Sequence, residues 1–355
     1  MKRVLLLTDT IYDFYNGGQK VGGIAVQMSL WAKVFQSHGW RVYSLSQDTE
    51  ITQNDVTFVK YPRIGGFFGI LLEIWLALLI VVKVKPHVLI CRGARREMTF
   101  FLFWSRLIRS KFVFFGASDN DFKPEEELIV DKKSRLLYRI GLRFVKSCVL
   151  QNQNQAMLLQ TNYGKKQTLI IPNIWSLSEA KDRESYRDID FLWVGNFRKL
   201  KRPEWFIKLA IDFPTLRFVM VGGAIDQDFY ERCVKDSYEV KNLQFMGYIP
   251  FNEVNNLFQR TKYYICTSYI EGFPNTFLQA WSNNIPIITS FDPSGLVRKE
   301  KIGIVVNDYE ELKRAVNELI GNVAKQESLK LNVKKYFEHS HNMDRMYLRL
   351  LEFLS

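Results

Sequence analysis

The sequence is poor in cysteine and histidine, with four of each among 355 residues. The cysteines, Cys91, Cys148, Cys233 and Cys266, are widely separated and form no Cys-x-x-Cys pair. This spacing argues against a zinc site or a disulfide framework and fits a reducing compartment. The histidines have no ligand spacing with acidic residues, so we expect neither a metal ion nor a bound cofactor.

Long uninterrupted apolar segments are also scarce. The first ten residues have only a short apolar run and no small-residue cleavage site, so we interpret them as containing a β-strand instead of a signal peptide. Residues 64–82 approach the length needed to span a bilayer, but Glu73 interrupts them. We favour a buried or membrane-grazing helix over a transmembrane helix, and we expect a cytoplasmic protein that can associate peripherally with the cytoplasmic face of the membrane.

Charge is present but unevenly distributed. The net charge is +12, and residues 1–175 hold 24 Lys and Arg against 13 Asp and Glu, whereas residues 176–355 hold 25 against 24. Residues 132–146 repeat cations at helical spacing beside an apolar stripe: Lys132, Arg135, Arg139, Arg143 and Lys146. The pattern is typical of an ordinary solvated helix face or of a helix on an anionic membrane surface. No base-stacking surface accompanies it, so we do not expect nucleic-acid binding.

Strand and helix patterns alternate in both halves of the chain. A strand near Val4 is followed by Gly22-Gly23, a helix with one apolar face, and a second strand at Arg41–Ser46. The alternation restarts at residue 191, after the polar segment 176–187, which we assign as a linker. Such repeats build parallel sheets. We therefore predict an α/β protein with Rossmann-like, doubly wound domains at 1–175 and 176–343 that face a central cleft, and a final helix, 344–355, that packs on the first domain.

The most specific motif follows the predicted strand 263–267 and spans residues 271–280, Glu-Gly-Phe-Pro-Asn-Thr-Phe-Leu-Gln-Ala. Pro274 suits the first turn of a helix, because its φ is fixed and it has no N–H group. Free N–H groups at a helix start bind anions, and Gly272 allows the backbone to approach a ligand. Ligands bind at the carboxyl ends of parallel strands. Any one of these features suits an ordinary helix start, but the combination favours a binding site.

This motif resembles the signature of family 4 retaining glycosyltransferases of the GT-B fold, in which two glutamates stand eight positions apart. Glu271 matches the first glutamate, and Gln279 stands where the second is expected. Weaker matches are Gly22-Gly23, Val194-Gly195, Val221-Gly222-Gly223 and the stretch from Phe245 to Tyr248. The resemblance covers nearly the whole chain and is strongest over 190–306.

The resemblance implies a hexosyltransferase that moves a sugar, with retention, from a nucleotide-sugar to a glycan or lipid-linked glycan in surface polysaccharide synthesis. The second domain would bind this donor substrate without a metal ion, and the first would bind the acceptor. Glu271 would lie beside the donor sugar as a catalytic residue. The other implied donor-binding residues are Gly23, Gly195, Phe273, Pro274, Asn275, Thr276 and Gln279.

The basic loop 195–202 would supply cations for the donor diphosphate. Lys201 matches the family lysine, and Arg198 substitutes for an arginine that the family often has at the position of Asn196. On the acceptor side, Asp119 and Asp121 stand nearest to a polar residue of the family, and we take Asp119 as the catalytic candidate. A capped turn is the alternative interpretation of these two residues.

Two other functions are weighed against this one. Asp48 ends the second strand, where an NAD-binding acid would stand, but Gly22-Gly23 do not fit the Gly-x-Gly-x-x-Gly fingerprint and follow too long a loop. A non-catalytic GT-B-like binder of a nucleotide or sugar stays an alternative, because a neutral Gln279 makes weaker hydrogen bonds than a carboxylate.

Overall fold

The computed structural model describes residues 1–16, 22–47, 49–64, 66–129, 131–175, 187–271 and 273–355. Asp48, Gly272 and all of the predicted linker except Arg187 lie outside these residues. Contacts among Cα atoms divide the chain into two units. Unit 1 comprises Met1–Ile174 and Met343–Ser355, and unit 2 comprises Trp175–Asn342.

Unit 1 contains one sheet in which eight described strands take part. Its elements before the crossing to unit 2 are β1 (Arg3–Leu7), α1 (Thr10–Tyr15), α2 (Gly23–Ser37), β2 (Arg41–Ser46), β3 (Ile51–Gln53), β4 (Val56–Lys60), α3 (Gly66–Val84), β5 (Val88–Arg92), α4 (Glu97–Leu107), β6 (Lys111–Phe115), α5 (Lys132–Phe144), β7 (Ser147–Leu150), α6 (Gln153–Tyr163) and β8 (Gln167–Ile170). The strand order is β3-β4-β2-β1-β5-β6-β7-β8, and the described pairs are parallel except β3 with β4.

Helices cover both faces of this sheet because its strands are apolar at successive positions. In β1, Leu5 and Leu7 join a core with α3, α4, α5 and α6, whereas Val4 and Leu6 join a second core with α2 on the opposite face. The hairpin between β3 and β4 was not predicted. Its turn, Asn54-Asp55, has positive φ angles of 49° and 58°, which is the geometry of tight hairpin turns.

Unit 2 has the same architecture. Its described elements are β9 (Ile189–Val194), α7 (Pro203–Asp212), β10 (Phe218–Val221), α8 (Gln227–Tyr238), β11 (Leu243–Phe245), α9 (Phe251–Gln259), β12 (Thr261–Cys266), α10 (Asn275–Ser282), β13 (Ile287–Thr289), α11 (Leu296–Glu300), β14 (Gly303–Val305), α12 (Tyr309–Gly321) and α13 (Val323–Ser340). All described pairs in the order β11-β10-β9-β12-β13-β14 are parallel. The prediction of two Rossmann-like domains, each built on a mainly parallel sheet, is thus confirmed.

The last helix, α14 (Met343–Leu354), belongs to unit 1. The Tyr347 hydroxyl accepts a hydrogen bond from Trp40 Nε1 at 2.7 Å, and the ring packs edge-on against Phe35. Leu350 is fully buried in the same core. Side chains from the end of the chain therefore complete the core that α2 begins.

The apolar segment at 64–82 forms α3, and Glu73 determines how this helix is oriented. Within the described ranges, no helix is both long and apolar enough to cross a membrane. The Glu73 side chain is fully buried, and its Oε1 accepts hydrogen bonds from Arg96 Nη2 and the Ile64 N–H group, both at 2.7 Å. The carboxylate that interrupts the apolar run is therefore one partner of an internal ion pair.

Glycines allow the backbone segments that follow β9 and β10 to meet. A Cβ atom on Gly222 would lie 1.8 Å from the carbonyl oxygen of Gly195, whereas one on Gly223 would have no neighbour closer than 3.6 Å. The Gly222 N–H group also donates to the carbonyl oxygen of Gly247 at 2.9 Å. The carboxyl ends of three adjacent strands are thus in direct backbone contact.

We expect Glu73→Ala to lower the free energy of unfolding by about 3 kcal/mol, because it leaves the Arg96 guanidinium without its carboxylate inside the protein. Glu50→Ala is the control. Glu50 pairs with Lys83 on the surface, where both side chains are about half exposed, so its loss should cost less than about 1 kcal/mol. Urea denaturation measures both, and equal losses would contradict the buried role of Glu73.

We expect Gly222→Ala to destabilise the protein by about 3 kcal/mol, because the added methyl group overlaps the Gly195 carbonyl. Gly223→Ala introduces the same atom one residue later, where its nearest neighbour would be Tyr248 at an ordinary contact distance of 3.6 Å, and should stay within about 1 kcal/mol of the parent. Thermal unfolding of the two variants side by side tests the contact. A tolerated Gly222→Ala would show that the strand ends are further apart.

Candidate functional site

The candidate site lies where the strand order of unit 2 reverses. β9 lies between β10 and β12, so the connections that leave its neighbours diverge and a crevice forms at the carboxyl ends of β9 and β12. The loop after β9 contains Gly195, Arg198 and Lys201, and the loop after β12 contains Glu271. The two strongest sequence-predicted site segments thus meet at the position where ligands bind in such sheets.

Glu271 and Lys201 form an ion pair across this crevice. Their side chains are 18% and 23% exposed, so both are held in place yet remain accessible. The same carboxylate oxygen, Glu271 Oε1, also accepts a hydrogen bond from the Ser268 hydroxyl at 2.8 Å. A Cβ on Gly195 would lie 3.8 Å from Cδ of Lys201, which places this glycine beside the pair.

Thr267 joins the two loops beneath the ion pair. Its hydroxyl accepts a hydrogen bond from Trp193 Nε1 at 3.0 Å and donates one to the carbonyl oxygen of Lys201 at 2.5 Å. A backbone bond from the Tyr269 N–H group to the carbonyl oxygen of Leu200, at 2.8 Å, adds a second link. The positions of Lys201 and Glu271 are therefore set by polar contacts between their own loops.

Arg202 has a structural role that the sequence analysis missed, since it grouped this residue with the diphosphate cations. Its guanidinium donates to the Thr267 carbonyl oxygen at 2.8 Å and to the Ser290 hydroxyl at 2.7 Å, and it lies over the Trp205 ring at 4.0 Å. Its backbone is left-handed, with φ of 46°, just before α7. Arg202 therefore links the ends of β12 and β13, whereas Arg198 is exposed and available to a ligand.

The first turn of α10 borders the ion pair in sequence and begins as predicted. Pro274 is the N-cap residue, with φ of −65°, and the helix starts at Asn275. Phe273 is 9% exposed and packs against Trp281, which fixes the entry of the chain. Thr276 follows in this first turn, where backbone N–H groups have no partner within the helix and can bind a ligand.

Gln279 lies one turn further along α10 and is 2% exposed. Its Nε2 atom has no hydrogen-bond partner among the described residues. A buried amide with an unused donor lowers the stability of the folded protein by about 1–3 kcal/mol, because the group loses its hydrogen bonds to water and forms none within the protein. This cost is accounted for if the amide serves a ligand in the position that the sequence analysis assigned to the ribose.

The remaining predicted residues belong to unit 1. Gly23 is the first residue of α2. Burial raises the pKa of Asp121 to about 6, although its Oδ2 accepts the N–H groups of Ala117 and Ser118 in a capping box. Asp121 is therefore a structural cap. Asp119 differs: its Oδ2 accepts from Asn154 Nδ2 at 2.6 Å, and its buried Oδ1 has no partner within the described part of the chain.

Known proteins resemble unit 2 in sequence, and solved structures resemble this chain in fold. The family model for glycosyl transferases group 1 matches residues 178–336. The alpha-monoglucosyldiacylglycerol synthase of Acholeplasma laidlawii is 23% identical over 188 residues, and the match spans about half of each protein, 48% of this chain and 47% of the relative.

Two solved structures extend the similarity over the whole chain. Sucrose-phosphate synthase from Thermosynechococcus elongatus superposes with a TM-score of 0.78 at 15% identity, covering 100% of this chain and 98% of that one. HepE of Anabaena, solved with UDP and glucose, gives a TM-score of 0.75 at 12% identity, covering 100% and 99%. The chain therefore has the GT-B fold, and its residues 178–336 match the family model for glycosyl transferases group 1.

Proposed function

We propose that this protein is a retaining hexosyltransferase that moves a sugar from a nucleotide-sugar to a glycan or lipid-linked glycan acceptor in surface polysaccharide synthesis. The observation that carries the proposal is the Lys201–Glu271 pair, held at the strand-order reversal of unit 2. The match of residues 178–336 to the glycosyl transferases group 1 model supports sugar transfer. The structure of HepE, which contains UDP and glucose, supports a uridine nucleotide-sugar as the first donor to test.

In this proposal the donor diphosphate lies between the loop after β9 and the start of α10. Lys201 and the exposed Arg198 supply positive charge, and the N–H groups of the first turn of α10 supply hydrogen bonds. These groups stabilise the negative charge that develops on the leaving nucleoside diphosphate as the sugar departs. No protein group has to move far, because the Thr267 contacts already fix the loop that carries Lys201.

Glu271 is assigned to the donor sugar. Lys201 and Ser268 both bond to its Oε1, so the second carboxylate oxygen, Oε2, is directed to a sugar hydroxyl in this proposal. A hydrogen bond from a hydroxyl to a carboxylate is about twice as strong as one between neutral groups. Gln279, with its unused Nε2 donor, is assigned to the ribose hydroxyls.

The acceptor is assigned to unit 1, where Asp119 has a buried oxygen without a described partner. An acceptor hydroxyl would satisfy that oxygen. A lipid-linked acceptor is supported by the synthase of Acholeplasma laidlawii, whose name specifies a glucosylated diacylglycerol.

A non-catalytic binder of the same ligands is the second candidate. It is favoured by one observation, the neutral Gln279 at a position where the family signature has a carboxylate. Under both candidate functions, a bound nucleotide-sugar should raise the melting temperature. At a ligand concentration one hundred times Kd, binding should add about 2.7 kcal/mol to the free energy of unfolding. A panel of UDP-, GDP- and ADP-sugars would identify the donor, and formation of a glycosylated acceptor would then exclude the binder.

We expect Glu271→Gln to lower kcat by at least about a hundredfold with little change in melting temperature. The substitution removes the negative charge beside the reacting sugar but keeps the shape of the side chain. Glu239→Gln, an exposed position at the end of α8, is the control and should retain full activity. Steady-state kinetics with the identified donor measures both. Full activity in Glu271→Gln would remove this residue from the site.

We expect Gln279→Glu to bind the donor more tightly but to melt lower without it, because a buried carboxylate without a partner is costly. Gln279→Met should do the opposite, since it removes the unused amide donor and the ribose contact together. Calorimetric titration with donor and thermal unfolding of both variants test this pair. Unchanged donor affinity in both would show that residue 279 does not contact the nucleotide.

A further inference from the structure

Helix α3 is apolar on two sides, but the protein buries only one of them. Its inner side contains Glu73, Ala77, Ile80, Val81 and Val84, all of which are buried. Its outer side carries six exposed large apolar residues, which we call the α3 ridge: Phe68, Leu71, Leu72, Trp75, Leu79 and Val82. With about 3.6 residues per turn, all six fall within an arc of roughly 100°. Phe68 is 84% exposed and Trp75 is 56% exposed.

The helix cannot turn this ridge inward, because polar contacts fix its rotation. Glu73 is held on the inner side by Arg96 and the Ile64 N–H group. Further along the helix, Trp104 Nε1 of α4 donates to the carbonyl oxygen of Ile74 at 3.0 Å. Exposure of the ridge is therefore a property of the folded unit.

Exposed apolar residues continue onto the neighbouring helices α4 and α5. Phe103 and Leu107 of α4 are exposed, as are Leu136 and Phe144 of α5. The rings of Phe103 and Phe144 lie 5.9 Å apart, and the Arg106 guanidinium is 5.7 and 5.9 Å from their centres. Apolar groups and a cation thus share one surface of unit 1.

Cations collect around the C-terminal ends of these three helices. Exposed cations that form no ion pair with the described residues are Lys85, Arg106, Arg109, Arg143 and Lys146. The predicted basic stripe of α5 is only partly available, because Arg135 pairs with Glu125, and Arg139 pairs with Glu125 and Glu127. Among the described residues of unit 1, the positive charge that remains has no paired acidic side chain.

We propose that the α3 ridge inserts into the surface of an anionic lipid bilayer, with these unpaired cations against lipid phosphates. Charge complementarity selects this occupant, since an apolar ridge beside uncompensated cations matches acyl chains beneath anionic headgroups. Aromatic side chains, here those of Phe68 and Trp75, suit the boundary between the acyl chains and the headgroups. The inference rests on unit 1 alone and does not require that the protein transfer a sugar.

Insertion would also place the acceptor side of unit 1 close to the bilayer. In a parallel sheet the helix that follows a strand starts at the carboxyl edge, so the Phe68 end of α3 lies toward the edge that carries Asp119. A lipid-linked acceptor could then reach this edge without leaving the membrane.

Co-sedimentation of the full chain with vesicles tests the proposal. We expect binding to equal mixtures of phosphatidylglycerol and phosphatidylcholine, and at least about tenfold weaker binding to phosphatidylcholine alone. The triple variant Phe68→Gln, Trp75→Gln, Leu79→Gln should bind the mixed vesicles at least about tenfold more weakly. Its control, Met157→Gln, Leu331→Gln, Leu348→Gln, changes equally exposed apolar residues on α6, α13 and α14 and should bind like the parent.

A second pair of variants tests the cations. Arg109→Glu with Lys146→Glu should weaken binding to mixed vesicles, whereas Lys334→Glu with Lys335→Glu, which changes charge equally on unit 2, should not. Trp75→Phe keeps the ridge apolar, so it should sediment like the parent but show less quenching of tryptophan fluorescence by brominated lipids. That loss of quenching reports insertion as opposed to adsorption.

Three outcomes would overturn the proposal. The first is that the parent protein stays in the supernatant with anionic vesicles at low salt. The second is that the ridge and control triple variants bind equally well. The third is that the parent self-associates in size-exclusion chromatography and the ridge variant does not, because a second copy would then cover α3. Circular dichroism of each variant confirms that it is folded.

Discussion

The site in unit 2 depends on one hydroxyl group. Thr267 accepts from the Trp193 indole and donates to the Lys201 carbonyl, so the loop after β9 and the loop after β12 cannot move independently. Arg202 adds a contact from the first loop to the ends of β12 and β13. A parallel sheet brings strand ends to one edge, but only such contacts fix the side chains that follow. The contacts of Thr267 and Arg202 therefore position Lys201 and Glu271.

Local signals in the sequence were sufficient for much of this arrangement. The strands of both sheets are short apolar runs, and α10 begins where Pro274 predicts, because proline imposes its own φ and needs no partner. These features depend on residues within a few positions of each other, which is why a single sequence reveals them.

Features that depend on distant partners could not be predicted. Arg202 appeared to be one more cation in a basic loop, yet its partners Thr267 and Ser290 lie 65 and 88 positions away. The basic stripe of α5 loses Arg135 and Arg139 to acids in the preceding loop, which helical spacing alone cannot show. Similarly, nothing in the sequence distinguishes the buried, unsatisfied amide of Gln279 from an exposed one.

The crossing of the chain back to α14 has a consequence for how the protein is made. Trp40 and Phe35 bury their rings against Tyr347, but all of unit 2 is synthesised between them. At about 5–20 residues per second, unit 1 waits on the order of 10 to 30 s on the ribosome with part of its core uncovered. Unit 2, whose residues are contiguous in the chain, can complete its core first. The core of unit 1 that includes α2 is completed only when α14 arrives, after the whole of unit 2 has been synthesised.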